Sequence, residues 1–117
     1  MAQHVAPDLT VLDGTEGMQG NGPVSGDPID SRITLASAHS IAADVIGLQA
    51  MGYRLDQVGY LRYAMELRRL TLEDIEVVGE RVEDVKINFR PHDNIASQLT
   101  WPIDGDWRPI VNGLSLA

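Results

Sequence analysis

The chain reads as a small, single-domain mixed α/β protein, with its elements in the order β-loop-β-α-α-β-β and an irregular C-terminal segment. Three observations predict this. Short β-rich runs stand on either side of a helical stretch, LTVL at 9–12 and IEVV at 75–78. Two windows of helical character lie side by side between residues 40 and 69. Between the first two strands sits DGTEGMQGNGPVSGDP, residues 13–28, with five glycines and two prolines.

Each element has a local reason. The first strand, Leu9 to Leu12, stops at the turn pair Asp13-Gly14. Residues 13–28 show almost no periodicity and read as a long loop, a length that in compact domains usually signals function or disorder. Ile33 to Ser37 is apolar enough for a second strand inside a sheet. A first helix is expected over Ser40 to Met51, with Ser37 or Ser40 as N-cap and Gly52 as its stop. Only Asp44 and Gln49 are strongly polar within it, which is the pattern of a buried helix. A second helix, from about Asp56 to Arg69, starts at an acidic cap. It has a wide apolar face of Val58, Tyr60, Leu61, Ala64, Met65 and Leu67, and a polar side of Arg62, Glu66 and Arg69. Arg62 and Glu66 are four apart and positioned to pair, and Arg68-Arg69 suits the negative end of the helix dipole. Beyond Thr71 to Asp74, a turn, two further strands are expected at Ile75 to Val78 and among Val82, Val85, Ile87 and Phe89. Trp101 and Trp107, set among Pro102, Gly105 and Pro109, suggest a tail laid across the domain over residues 91–117.

Composition excludes several classes of function. The 117 residues carry 9 basic and 17 acidic side chains, a net charge of −8, so a phosphate-backbone binder with a basic face is not expected. With no cysteine there is no disulfide framework, thiolate zinc site, ordinary iron–sulfur cluster or cysteine nucleophile. No apolar run approaches the ~18 residues of a membrane span, and the N-terminus lacks the basic-then-apolar pattern of a signal peptide. The expectation is an acidic, soluble, cytoplasmic chain without nucleic-acid or membrane partners.

The glycine-rich stretch is the candidate site. Its glycines permit close approach of a ligand and let consecutive N–H groups form an anion-binding concavity. Candidate ligand-binding residues are Asp13, Gly14, Glu16, Gly20, Asn21, Gly22 and Asp44, with Asp13, Glu16 and Asp44 as hard oxygen ligands for Mg²⁺ or Ca²⁺ and Asp27 nearby. The stretch is neither a P-loop nor a dinucleotide fingerprint, because no Gly-Lys-Ser/Thr follows and no helix opens on it. The competing reading is a self-packed loop whose glycines serve turns and whose acids face water. Asp44 likewise has two readings. It shares a metal or proton-transfer site with Asp13, or it is a buried, satisfied acceptor that pins loop to helix. His39, near Ser37 and Ser40, reads as a capping or surface residue, since no nucleophile elbow accompanies it. His4 and His92 complete three scattered histidines without metal-ligand spacing.

PDLTVLDGTEGMQGNGPVSGDP, residues 7–28, resembles the signature of the family known as domain of unknown function 362. The similarity continues through ITLAS, the helix bearing Asp44, Gly52, YLRYAMEL and IEVVGE, to about residue 90. One departure is Ala38-His39-Ser40, where the family usually has an aspartate leading into the helix. The resemblance implies the C-terminal part of a longer protein whose N-terminal half is absent here. It also implies kinship with redox or metal-associated proteins, many of which carry ferredoxin-type cysteines that this chain lacks. No common activity follows from it, and the cofactor stays open.

Two functional expectations result. One is an interaction module that self-associates, most simply as a two-fold dimer, or that joins a partner chain supplying the missing N-terminal half. The other is a metal- or anion-binding enzyme built on residues 13–28 with Asp44.

Overall fold

A computed structural model describes residues 7–99. The expected tail with Trp101 and Trp107, and His4, lie outside the described residues.

The fold begins with a long antiparallel hairpin of β1, Thr10–Asn21, and β2, Ser25–Ser37. This corrects the expected loop. Residues 13–21 and 25–28 are paired strand, and the connection is only the turn at 22–24, which contains a cis Gly22-Pro23 bond. The pairing was hidden because glycines stand at positions where a strand normally shows apolar side chains. Gly14 and Gly17 are on the face turned towards the rest of the molecule, and a Cβ at Gly17 would lie 2.8 Å from the Phe89 ring. The period-2 alternation is therefore present, but its inward residues include glycine and read as a breaker.

The two halves of the hairpin are separated by a bulge. Gly14 pairs with Ile33 and Glu16 with Asp30, so Thr15 faces both Ser31 and Arg32. Arg32 takes a left-handed backbone, φ 51°, and its guanidinium folds back onto the Asp30 carboxylate at 2.6 Å. Ser31 is buried at the bulge and donates its hydroxyl to the Gly14 carbonyl at 2.6 Å.

α1, Ser40–Ala50, packs against the half of the hairpin nearest it. Its start is capped by His39, whose Nδ1 accepts the Ala42 N–H, rather than by Ser37 or Ser40. Ser37 instead accepts the His39 N–H at 3.0 Å. Gly52, φ 83°, closes the helix in the left-handed conformation that favours glycine, as its position predicts. The helix is apolar nearly all round because it is covered twice. Gly47 sits against Leu12 and Leu35 of the hairpin, while Val45 joins Leu61 and Met65 of α2 in a core flanked by Ile41, Leu48, Leu55, Val58, Leu70 and Ile75.

α2, Gly59–Arg68, is shorter than expected. Residues Leu55–Gln57 form a separate 3₁₀ turn, fastened by the Arg54–Asp56 pair at 2.8 Å. Of the expected apolar face, Leu61 and Met65 are buried, whereas Tyr60 projects into solvent. The Arg62–Glu66 pair forms at 3.7 Å.

The two later strands are not found among the described residues. A 3₁₀ turn at Leu72–Asp74, in which Asp74 accepts both the N–H and hydroxyl of Thr71, turns the chain so that Ile75 meets the core and 76–80 runs exposed. β propensity alone makes no strand where no ladder partner lies alongside. Val82–Val85 is a short helix, α3, consistent with the three-residue spacing of its valines and the Arg81–Asp84 pair at 2.7 Å. The chain then runs extended past the end of α1, with Ile87 N–H donating to the Ala50 carbonyl and Phe89 N–H to the Met51 carbonyl, before a last short helix, α4, Ile95–Gln98. The architecture is a mixed α/β fold of one two-stranded antiparallel sheet and four helices among the described residues.

Candidate functional site

The candidate residues divide between the two halves of the hairpin and α1. Asp13 lies on the solvent face of β1, where its carboxylate accepts the Thr15 N–H at 3.0 Å and the Thr15 hydroxyl at 2.7 Å. These two bonds hold its carboxyl below the usual carboxylate range. Gly14 is buried and gives its carbonyl to Ser31. Glu16 is exposed, across the strand pair from Asp30.

Beyond the bulge the hairpin is clasped by its own chain. Gly20, φ 76°, donates its N–H to the Arg90 carbonyl at 2.8 Å, and its missing Cβ leaves room for the Arg90 guanidinium. Gln19 accepts the Arg90 N–H at 2.9 Å, and Arg90 pairs with Asp27 on β2. Asn21 makes a reciprocal pair with Asp93, donating from Nδ2 at 2.7 Å and accepting the Asp93 N–H at 3.0 Å. Gly22 lies in the turn next to this contact. The glycines at 17 and 20 thus make room for the Phe89 ring and the Arg90 guanidinium beside the stretch where a ligand was expected. Phe89, Arg90 and Asp93 are the residues the sequence reading missed. Their partners lie some 70 positions away in the chain, 71 for Arg90 with Gln19 and 72 for Asp93 with Asn21, and no local pattern announces such a contact.

Asp44 corrects its structural reading. It is exposed on α1, on a strip covered by neither the hairpin nor α2, and makes no side-chain hydrogen bond or ion pair among the described residues. Partial desolvation without a partner raises its carboxyl above the usual range. Asp13, Glu16 and Asp44 are not gathered into a metal-holding group, and no three His, Asp or Glu side chains form one among the described residues. His39 is committed to capping α1, and the ring of His92 accepts the Asn94 N–H at 3.2 Å.

One surface left open is the other face of the hairpin. Leu9 and Val11 are 62% and 61% exposed, beside Ala36 and Thr34, which are also exposed. No hydrogen bond among the described residues crosses the outer edge of β2. Among the described residues no helix is long and apolar enough to cross a membrane.

Comparison with known proteins bears on the hairpin and α1. Residues 1–49 match the family described as Domain of unknown function (DUF362). The thylakoid-associated protein sll1697 of Synechocystis sp. is 42% identical over 45 residues, which is 38% of this chain and 14% of that protein's length. No solved structure matches the chain. The match ends where α1 ends, so the wider resemblance to residue 90 rests on the motifs alone. Residues 1–49, which include the hairpin and nearly all of α1, are thus similar to the domain of unknown function 362 family, the family that the glycine-rich run resembles.

Proposed function

We propose that this chain is an interaction module that acts by self-association, as a cytoplasmic homodimer, and not through chemistry of its own. The observation that carries the reading is the uncovered side of the hairpin, where Leu9 and Val11 stand exposed on a two-stranded sheet with no third strand among the described residues. Such a patch on a small chain marks an interaction surface. The apolar first helix, α1, is enclosed by the chain's own hairpin and α2. The surface that asks for a partner is therefore the sheet. The glycine-rich run supports the same view, because Gly20, Asn21 and their neighbours are hydrogen-bonded to residues 90–93. No observation favours the metal- or anion-binding enzyme built on Asp13, Glu16 and Asp44.

Native mass spectrometry and light scattering at tens of micromolar test this directly. A dimer without added mass is expected; a strict monomer overturns the reading. Cell fractionation tests the location, since the Synechocystis relative is by name thylakoid-associated. Recovery in the soluble cytoplasmic fraction is expected, and recovery with membranes overturns that part.

A further inference from the structure

The residue that ties the hairpin tip to residues 90–93 is also chemically the least durable one there. Asn21 ends β1, and Gly22 opens the turn that follows. An Asn-Gly pair favours a turn, and it sets a side-chain amide beside a backbone nitrogen that no Cβ shields. The Gly22 nitrogen can attack Asn21 Cγ and close a five-membered succinimide. The Cγ–Nδ2 bond breaks, the departing nitrogen takes up the proton lost from the backbone amide, and ammonia leaves. Water then opens the ring at either carbonyl, leaving aspartate or isoaspartate at position 21.

The folded chain holds this amide back. Asn21 Nδ2, the leaving nitrogen, donates to the Asp93 carboxylate at 2.7 Å, and Asn21 Oδ1 accepts the Asp93 N–H at 3.0 Å. Both arms of the amide are therefore gripped, and the side chain must leave Asp93 before its carbon can meet the Gly22 nitrogen in a reactive geometry. Conversion also destroys the grip. An oxygen replaces the donor nitrogen and faces the Asp93 carboxylate, and two carboxylates that close do not both ionise without cost. The neighbouring Arg90 is already engaged by Asp27. Isoaspartate in addition lengthens the main chain at Asn21–Ser25, the last pair of the ladder.

We infer that Asn21-Gly22 is a self-modification site: opening of the Asn21–Asp93 contact exposes Asn21 to deamidation, and the product no longer closes it. The hairpin tip thus carries a one-way latch on residues 90–93, independent of whether the chain self-associates.

The test follows Asn21 by peptide mapping of the full chain during incubation at mildly alkaline pH, which separates it from Asn112, the other asparagine before a glycine. The incubation lasts until the urea-unfolded chain has converted at Asn21. Folded wild type is expected to convert more slowly than the unfolded chain, and Asp93→Ala, which frees the amide, faster than wild type. Gly22→Ala is expected to slow conversion about tenfold or more by hindering the attacking nitrogen. Alanine fits there, because Gly22 has no left-handed φ and its Cβ would meet only the flexible Met18 side chain, at 3.2 Å. Hydrogen exchange of Asn21→Asp reads the consequence: the Gly20 and Asp93 amides are expected to exchange about tenfold faster than in wild type, while α1 stays protected. Asn21 remaining an amide in both folded wild type and Asp93→Ala overturns the site. Equal rates in those two chains overturn the protection by Asp93, and unchanged exchange in Asn21→Asp overturns the latch.

Discussion

Two carboxylates of this chain respond to folding in opposite directions, for reasons visible in their immediate surroundings. Asp13 accepts two hydrogen bonds from Thr15, so its folded-state carboxyl titrates low. That contribution to stability is present above the ordinary carboxylate range and is lost as pH falls through the lowered value. Asp44 has the reverse sign. It is partly desolvated without a partner, so its folded-state value lies above the unfolded one. The folded chain then holds that proton more tightly, and stability is lost as pH rises through the raised value. Asp44→Asn removes this loss. We expect urea unfolding of the variant to match or exceed wild type near neutral pH, with the advantage vanishing below the carboxylate range. A variant clearly less stable at neutral pH would show that Asp44 has a stabilising partner.

At the scale of elements, the hairpin is two devices joined by a bulge. Its half next to α1 is held by apolar contact, with Leu12 and Leu35 against Gly47. Its far half is held by polar contacts with residues 90–93, through Gln19, Gly20, Asn21 and Asp27. The Arg90–Asp27 pair is exposed and contributes at most about 1 kcal/mol. The reciprocal Asn21–Asp93 bonds fix the clasp geometrically. Asn21→Ala is therefore expected to loosen the clasp without unfolding the core, at a cost of roughly 1 kcal/mol. Hydrogen exchange at the Gly20 and Asp93 amides should quicken about tenfold while the amides of α1 stay protected. Acceleration throughout α1 would mean that clasp and core open as one unit.

For the whole molecule, the decisive balance is between the open hairpin and the net charge of −8. Pairing two copies covers the exposed Leu9 and Val11 side of the hairpin, but it brings two acidic bodies together, and that repulsion is screened by salt. The dimer is accordingly expected to tighten as salt rises from about 50 to about 500 mM, the reverse of a complex held by opposite charges. Its Tm should climb with protein concentration, because folding is linked to association. Sedimentation equilibrium and thermal scans over a hundredfold concentration range check both. A Tm independent of concentration would count against association.

Local chemistry was enough to read α1 and the turn after it. Its apolar residues, the Gly52 stop and the His39 region all lie within one stretch, and helix signals are local. The Arg62–Glu66 pair was legible for the same reason, since a four-residue spacing fixes the geometry. The glycine-rich run was legible as a likeness to the family whose model matches residues 1–49, but not as a strand. What makes Gly14, Gly17 and Gly20 tolerable in a ladder is Ile33, Phe89 and Arg90 pressing against them, and two of those three come from a segment about 70 residues on, Arg90 lying 71 positions from Gln19. Likewise IEVV has the composition of a strand, yet strand formation needs a neighbour to complete its hydrogen bonds, and the tertiary fold places none beside it among the described residues. Helices are decided largely within themselves; sheets, and the use made of a glycine, are decided by what the rest of the chain brings alongside.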